Sequence, residues 1–265
     1  MDTKTLLAQV RRDEQGVAHV LGLSGGKDST ALALRMKELH PDLPINYICT
    51  PTGDELPEMQ AHWDLLEGLL GQPLLKLHAP DGQGGVLTLD KLIARFQALP
   101  NFRQRWCTRM LKVQPCEAFM LALQASGPAI LYVGLRADEP EREGLLWKGE
   151  TRFPMREWGW GLKEVKGYLK AQNVDIPYRT DCARCYHQRL PEWKILADRH
   201  PDLFEAAAQQ EEAIGHTFRS PGRDTWPTGL RDLLAEFKSG RKVRGDKAYL
   251  ERVAAGEGAC RVCSL

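Results

Sequence analysis

Residues 17–39 read VAHVLGLSGGKDSTALALRMKEL, and this stretch decides the fold. Its first seven residues are mostly apolar, as in a buried strand. In its second half, Leu32, Met36 and Leu39 recur at the spacing of one helix face. A short segment of glycines and hydroxyl side chains joins the two halves. The stretch therefore predicts a strand that passes through a tight turn into a helix, which is the repeating unit of a parallel α/β sheet.

The same alternation of strand and helix continues as far as residue 134. Further strands are predicted at 45–49, 74–77 and 130–134, and helices at 28–39, 55–70, 87–98 and 108–123. Repeated alternation of this kind predicts a Rossmann-like parallel sheet that is covered by helices on both faces.

The C-terminal part has a different pattern. Residues 137–161 are rich in charge, tryptophan and glycine without a clear period, which predicts a long functional or mobile loop. Helices are predicted at 162–171, at 190–214 in two parts broken near Pro201, and at 230–238 and 247–255. We therefore expect an α/β domain over 1–160, and a helical C-terminal region over 161–265 that ends in a cysteine-containing tail.

The composition excludes several classes of protein. The chain has 265 residues, 43% hydrophobic and 27% charged, which are ordinary values for a soluble globular protein. A formal net charge of +1 argues against coating of nucleic acid by bulk charge. No apolar run reaches the roughly 18 residues of a membrane helix, and residues 1–12 lack a signal-peptide core. We therefore expect a cytoplasmic protein without a membrane partner.

The turn between the first strand and helix predicts a phosphate site. Its residues are Ser24, Gly25, Gly26, Lys27, Asp28, Ser29 and Thr30. The glycines let the backbone approach a phosphate, and the helix start offers unpaired N–H groups. The hydroxyls add donors, Lys27 adds a charge, and Asp28 either caps the helix or helps to hold Mg²⁺. The spacing is neither that of a Walker A loop nor that of the dinucleotide motif GxGxxG.

These residues resemble the SGGxDS loop of the PP-loop ATP pyrophosphatase superfamily, and within it the PAPS (phosphoadenylyl-sulfate) reductase family. The supporting motifs are TGDELPE at 52–58, WCTRMLKVQP at 106–115, GLRADEPER at 134–142 and CARC at 182–185. The resemblance implies an adenine nucleotide alpha-hydrolase-like fold that binds ATP or a sulfonucleotide, with Asp54, Arg136 and Arg142 at the nucleotide. Arg side chains such as these clamp phosphate or sulfate oxygens, and Lys148 is a further candidate. Pro51 departs from the family pattern, which has Asp there.

The cysteines predict a metal centre. Seven cysteines are an odd number, which argues against a disulfide framework. Cys49 and Cys116 fall in apolar patterns and are predicted to be core residues. Cys107 lies at a predicted helix start among arginines, where we expect a lowered thiol pKa. Together with Cys182 and Cys185 it suggests an iron–sulfur cluster. The alternative is zinc held by the two C-x-x-C pairs, which are Cys182, Cys185, Cys260 and Cys263.

The resemblance implies a [4Fe–4S] cluster on Cys107, Cys182, Cys185 and one further ligand. The family's second cysteine beside Cys107 is missing, so the fourth ligand is Cys260 or Cys263, with Cys263 our candidate, or a non-protein ligand such as hydrosulfide. Sulfonucleotide reductases also carry a catalytic cysteine on a mobile C-terminal tail, and the tail cysteines are similar in position. Cys260, Cys263 and Lys27 are therefore the candidate catalytic residues.

Three functions remain open. The first is a sulfonucleotide reductase, which needs a thiol reductant protein and releases sulfite from adenylyl sulfate or PAPS. The second is an ATP-dependent enzyme that adenylylates tRNA or DNA and transfers sulfur from a donor. The third is a zinc-stabilised module that binds nucleic acid, for which the basic residues 239–247 are either a backbone contact or a solvated loop. Trp158 and Trp160 are either core residues or platforms for a base.

Overall fold

The computed structural model describes residues 3–142 and 149–254. Within them, five parallel strands form one sheet in the order β3–β2–β1–β4–β5. The strands are β1 (Ala18–Gly22), β2 (Ile45–Cys49), β3 (Leu75–Lys76), β4 (Ala129–Tyr132) and β5 (Glu150–Arg152). The register places Val20 of β1 beside Asn46 of β2 and Leu131 of β4. The predicted parallel sheet is confirmed.

Helices follow the strands along the chain. Before and between the strands lie α1 (Thr3–Leu7), α2 (Lys27–Leu39), α3 (Pro57–Leu70), α4 (Leu89–Phe96), α5 (Trp106–Thr108), a π-helix (Arg109–Val113) and α6 (Gln114–Ala125). After β5 lie α7 (Pro154–Glu157), α8 (Leu162–Ala171), α9 (Leu190–Arg199), α10 (Pro201–Ile214), α11 (Leu230–Lys238) and α12 (Asp246–Ala254). No helix in this part of the chain is long and apolar enough to span a membrane.

The helices cover both faces of the sheet, as the sequence predicts. Neighbouring residues of a strand point to opposite faces, so Val20 and Leu21 enter different cores. Leu21 packs among buried side chains of α2, α3 and α8, such as Leu32, Leu66 and Val165. Val20 packs on the other face against α1 and α6, whose buried side chains include Leu6 and Phe119.

A third hydrophobic core joins the two halves of the chain. Trp193, Phe204 and Leu233 of the C-terminal helices pack in it with Leu92 and Leu111 of the N-terminal half. Val165 of α8 belongs to the core of the sheet. Both cores therefore contain residues from either side of residue 160, and the two-domain division stays a prediction.

Strand β5 and the helix predicted at 108–123 differ from the sequence prediction, and no helix is predicted where α1 and α7 lie. Strand β5 lies inside the stretch 137–161, which the sequence predicts to be a loop. The strand is missed because a three-residue edge strand with two exposed side chains shows no apolar alternation. The predicted helix 108–123 is instead α5, the π-helix and α6. The break precedes Pro115, which has no N–H to donate to the carbonyl of Leu111. The N–H of Gln114 instead reaches back five residues to the carbonyl of Arg109, as in a π-helix.

Candidate functional site

The predicted phosphate loop lies where the strand order of the sheet reverses. Strand β1 ends at Gly22, α2 begins at Lys27, and β1 lies between β2 and β4. Ligands of open parallel sheets bind at this reversal, outside the carboxyl ends of the strands. Gly26 is the N-cap of α2, and no side chain accepts a capping hydrogen bond at this helix start. The alternative in which Asp28 caps the helix is therefore wrong. Asp28 lies in the first turn, where its carboxylate is free to face other groups.

The two serine hydroxyls of the loop are hydrogen-bonded to each other. The Oγ atoms of Ser24 and Ser29 are 3.1 Å apart, and Ser29 also donates to the carbonyl of Gly26 at 3.1 Å. Thr30 is fully buried, and its hydroxyl has no partner among the described residues. The loop is therefore held in shape by its own side chains, leaving backbone N–H groups at the helix start for a ligand.

Two glycines let neighbouring segments approach this loop closely. Gly25 has a φ of +84°, and a Cβ there would lie 2.2 Å from Cε of Met59 in α3. A Cβ on Gly134, just after β4, would lie 3.2 Å from the backbone of Asp28 and Ser29. Larger residues at these two positions would push the walls of the site apart.

Arg136 lies at the centre of a carboxylate cluster beside the loop. It is buried, and its Nη1 donates to Asp28 at 3.0 Å and its Nε to Asp138 at 2.8 Å. Its Nη2 lies 2.9 Å from Oε1 of Glu139. The guanidinium that the sequence assigns to phosphate or sulfate oxygens is therefore held by three protein carboxylates.

The other predicted cations at the loop are paired in the same way. Lys27 donates to Asp28 at 2.9 Å, and Arg142 donates to Glu139 at 2.8 Å. Lys148 lies outside the described residues. Lys27, Arg136 and Arg142 thus face three carboxylates, so their charges are balanced within the protein. An anionic ligand at this loop would gain little net attraction from them unless it brought a cation.

Cys107, Cys182 and Cys185 line one small cavity with a volume of about 30 Å³. Cys107 lies in α5, and the other two lie in the loop before α9. The predicted core cysteines are elsewhere: Cys49 and Cys116 are buried in the two cores of the sheet. The sequence prediction that separated these two sets of cysteines agrees with their positions.

The C-x-x-C loop is anchored to the segment that follows β2. Nε of Arg184 donates to Asp54 at 2.7 Å, and the N–H of Ala183 donates to the carbonyl of Asp54 at 2.6 Å. The hydroxyl of Thr52 lies 3.2 Å from Sγ of Cys182. These contacts bring the cysteines to the carboxyl edge of the sheet, where the phosphate loop also lies. The structure thus gives Asp54 an anchoring contact, and its role at a nucleotide stays a prediction.

Burial keeps the three cavity cysteines protonated. Desolvation raises the pKa of Cys107, raises that of Cys185 to about 12, and raises that of Cys182 well above its ordinary value. The expectation of a lowered thiol pKa at Cys107 is therefore wrong, because the effect of burial outweighs that of the nearby charges of Lys112 and Arg105. A metal would have to displace these protons on binding, which makes its affinity depend on pH.

The cysteines that line the cavity are donors of the kind that thiophilic metals prefer, but the described residues do not bring them together as a metal site. Three thiols at one cavity suit iron–sulfur or zinc, and Cys107 has no place in the zinc alternative. In residues 3–142 and 149–254, no three His, Cys, Asp or Glu side chains are grouped closely enough to hold a metal ion. Cys260 and Cys263, the candidate fourth ligand and catalytic residues, lie outside these ranges.

Arg179 is a basic residue beside the C-x-x-C pair in the sequence, and the structure buries it. Its side chain is 1% exposed, and its Nη2 donates to the carbonyl of Cys182 at 3.1 Å. Asp181 and Glu192 lie 3.7 and 3.8 Å from its guanidinium. A buried cation next to the thiols would favour their anionic form. No sequence spacing could have shown this, because burial of Arg179 depends on α9 and α12 packing over it.

The aromatic and basic candidates contact other side chains of the protein. Trp158 and Trp160 contact each other, with ring centroids 5.3 Å apart, and pack against the core of α2 and α8. Arg241 of the basic loop lies 4.2 Å from the ring centroid of Trp226. Trp158 and Trp160 therefore have a core role, and the partner of the basic loop remains open.

Comparison with solved structures gives similarities at low identity. A phosphoadenylyl-sulfate (PAPS) reductase from Candida auris is 17% identical over 66% of this chain and 82% of that chain, with a TM-score of 0.44. The U34-tRNA thiolase NcsA from Methanococcus maripaludis, solved with its [4Fe-4S] cluster, is 13% identical over 98% and 88%, with a TM-score of 0.41. The NMN synthetase from Francisella tularensis is 14% identical over 99% and 97%, with a TM-score of 0.39.

No protein-family model matches the chain, and no curated protein matches it in sequence. At TM-scores below 0.5, the similarities to solved structures assign neither a reaction nor a substrate.

Proposed function

We propose that this chain is an enzyme that binds an adenylyl nucleotide at residues 24–30 and carries out sulfur chemistry beside a [4Fe–4S] cluster on Cys107, Cys182 and Cys185. The observation that supports this is the shared cavity of the three cysteines at the edge of the sheet that carries the phosphate loop. The loop follows β1, Thr52 follows the neighbouring β2, and adjacent strands are about 5 Å apart. When bound, such a cluster supplies redox-active iron or a place to hold sulfide.

The charges at the loop favour ATP as the nucleotide. Lys27, Arg136 and Arg142 are each paired with a carboxylate, so these three residues offer no excess positive charge to a triphosphate. Such an anion would bind best with Mg²⁺ on its phosphate oxygens, and Asp28 is placed to accept that ion or its waters. The backbone N–H groups at the start of α2 would hold the phosphates. This arrangement supports activation of an acceptor oxygen by adenylylation, with release of pyrophosphate, followed by sulfur transfer.

Reduction of adenylyl sulfate or PAPS is the second candidate, and the paired tail cysteines favour it. A thiolate of Cys260 or Cys263 would attack the sulfonucleotide sulfur, the sulfur–oxygen bond to the nucleotide would break, and a nucleoside phosphate would leave. The second thiolate would then attack the cysteine sulfur, forming a disulfide and releasing sulfite. A thiol reductant protein would return the two electrons to the disulfide.

Product analysis separates the two reactions. Anaerobically purified full-length protein is incubated with Mg²⁺-ATP, and separately with adenylyl sulfate or PAPS and a dithiol. Pyrophosphate release from ATP supports sulfur transfer, whereas sulfite from a sulfonucleotide supports reduction. Lys27→Ala should weaken binding of the active nucleotide by about tenfold or more, because it removes one of the cations that balance Asp28 and leaves an excess of negative charge beside the phosphates. Lys170→Ala, an exposed lysine of α8, is the matched control, and equal affinity of all three proteins for every nucleotide would refute the loop as the binding site.

Metal analysis tests the cysteine cavity. Cys107→Ala, Cys182→Ala and Cys185→Ala should each lower the iron and sulfide content and the visible absorbance of anaerobically purified protein. Cys49→Ala and Cys116→Ala alter buried cysteines of the other cores and should leave iron unchanged. If Cys107→Ala retained all its metal while both C-x-x-C variants lost theirs, zinc would replace the cluster.

A further inference from the structure

A second cavity, separate from the nucleotide and cysteine regions, lies beyond the carboxyl end of β3. Its volume is about 300 Å³, at the lower end of the size range of small-molecule pockets. Its floor is apolar and is formed by buried side chains from both sides of the sheet edge: Leu6, Leu77, Leu87, Pro115 and Phe119. The π-helix borders both cavities, because Met110 lines this one and Leu111 and Lys112 line the cysteine cavity.

Three polar side chains at this cavity lack partners in the described part of the chain. His78, Arg95 and Gln114 line it, and none of them makes an ion pair or a side-chain hydrogen bond there. Arg95 ends α4, and its guanidinium rests 5.9 Å from the ring centroid of Phe96. Arg136, by contrast, has three carboxylates around it. Arg95 and Gln114 are exposed, so their polar groups are accessible to a ligand at the mouth of the second cavity.

The charges of the residues that line this cavity indicate which kind of ligand it binds. No acidic side chain is among the described residues that line the cavity. Burial lowers the pKa of His78, so its ring is neutral at neutral pH and can offer one N–H. Arg95 then provides the positive charge, and its planar N–H groups match a carboxylate. An apolar ligand without charge would leave Arg95 unused, and a bare inorganic anion would leave the apolar floor uncovered.

We propose that this cavity binds a small organic anion, namely a carboxylate joined to an apolar chain or ring. The carboxylate pairs with Arg95 at the mouth, and the apolar part covers Leu77 and Phe119 on the floor. The inference goes beyond the proposed function and does not depend on it, because none of the described residues that line this cavity is a cysteine or belongs to the phosphate loop.

Titration with decanoate tests the proposal on the full-length protein. Methionine methyl groups are labelled with ¹³C, and the Met110 signal is identified by its absence in Met110→Leu. Decanoate should shift the Met110 signal in a saturable way, while buried Met36 in the core of α2 keeps its position. Decanol and decylammonium, which have the same chain without the negative charge, should bind about tenfold more weakly or worse. Equal binding of decanol and decanoate, or an unmoved Met110 signal, would overturn the proposal.

Two variants locate the ligand. Arg95→Gln should weaken decanoate about tenfold and leave decanol unchanged, because only the charged head contacts Arg95. Ala118→Trp places a large ring at the exposed mouth of the cavity and should abolish binding of decanoate. Ala125→Trp, an exposed position at the end of the same helix, is the matched control and should bind as the wild type does. Unchanged binding by Ala118→Trp, with its fold verified by thermal unfolding, would place decanoate elsewhere and reject the cavity.

Discussion

At the scale of single residues, one buried ion pair holds the cysteine loop in place. Asp54 and Arg184 are both buried, and their side chains are joined by contacts of 2.6 and 2.7 Å. Arg184 also reaches Asp90 at 2.7 Å. Removing one partner of a buried pair leaves the other charge desolvated, which is far more costly than losing an exposed pair.

We predict that Asp54→Asn lowers the free energy of unfolding by about 2–4 kcal/mol, somewhat less than the usual cost for a buried pair because Asp90 still faces Arg184. Urea denaturation measures this change. Arg231→Gln breaks exposed contacts to Glu205 and Glu212 and should cost less than about 1 kcal/mol. Similar losses in the two variants would mean that the Asp54 pair does not anchor the loop.

The sequence predicts these residues only in part. The motifs single out Asp54 and Cys182, because both lie in short, distinctive stretches. The contact of Asp54 with Arg184 in the C-x-x-C loop could not be predicted, because the two residues are 130 positions apart and neither motif indicates the other. The pairing of Arg136 with Asp28 is missed for the same reason. The sequence predicts that Arg136 is available to bind phosphate or sulfate oxygens, whereas in the structure carboxylates balance its charge.

At the scale of elements, a buried carboxylate joins α10 to α11. Oε1 of Glu211 accepts from the N–H of Phe218 at 2.8 Å, and Oε2 accepts from the N–H of Leu230 at 2.7 Å. Burial raises the pKa of Glu211 from 4.5 to about 7. The folded protein therefore binds this proton more tightly than the unfolded chain does between pH 4.5 and 7.

We predict that the contribution of Glu211 to stability is full below about pH 4.5 and is lost as the pH rises through about 7. Urea denaturation at pH 5 and pH 7.5 measures this effect. Between these pH values, the free energy of unfolding of the wild type should fall by about 1–3 kcal/mol more than that of Glu211→Gln, whose side chain cannot ionise. Glu212→Gln changes the exposed neighbour and should keep the wild-type dependence on pH. A difference between wild type and Glu211→Gln that is the same at both pH values would contradict the raised pKa.

Elements with strong periodicity are predicted well. Helices 162–171 and 230–238 and strand 45–49 have the predicted bounds, and the break at Pro201 separates α9 from α10. The prediction fails where tertiary contacts replace local pattern. Strand β5 owes its existence to pairing with β4, and the short helix α1 to packing on α6, so neither has a signal of its own.

At the scale of the whole molecule, the hydrophobic cores cross the predicted domain boundary. Val165, Leu169 and Val174 complete the core of α2 and α3, and Trp193 and Phe204 cover Leu92 and Leu111. Cutting the chain at residue 160 would expose all of these surfaces to water. Exposing one buried aliphatic or aromatic side chain lowers the free energy of unfolding by about 1.5–3 kcal/mol.

We predict that a fragment of residues 1–160 shows no cooperative thermal transition, whereas residues 1–254 unfold in a single one. Scanning calorimetry compares the two. A sharp transition for the shorter fragment close to that of residues 1–254 would show that 1–160 is an independent domain.

The π-helix also fixes the rotation of Cys107 about the helix axis relative to α6. A residue added to or taken from an α-helix turns everything beyond it by about 100° and shifts it about 1.5 Å along the axis. The segment Arg109–Val113 contains one residue more per turn than its helical neighbours, so it sets the angle at which α5 leaves α6. Closing it into regular helix by deleting one residue would swing Cys107 about a quarter-turn around the axis. The sulfur would then face away from Cys182 and Cys185, although all the cysteines would still be present in the chain.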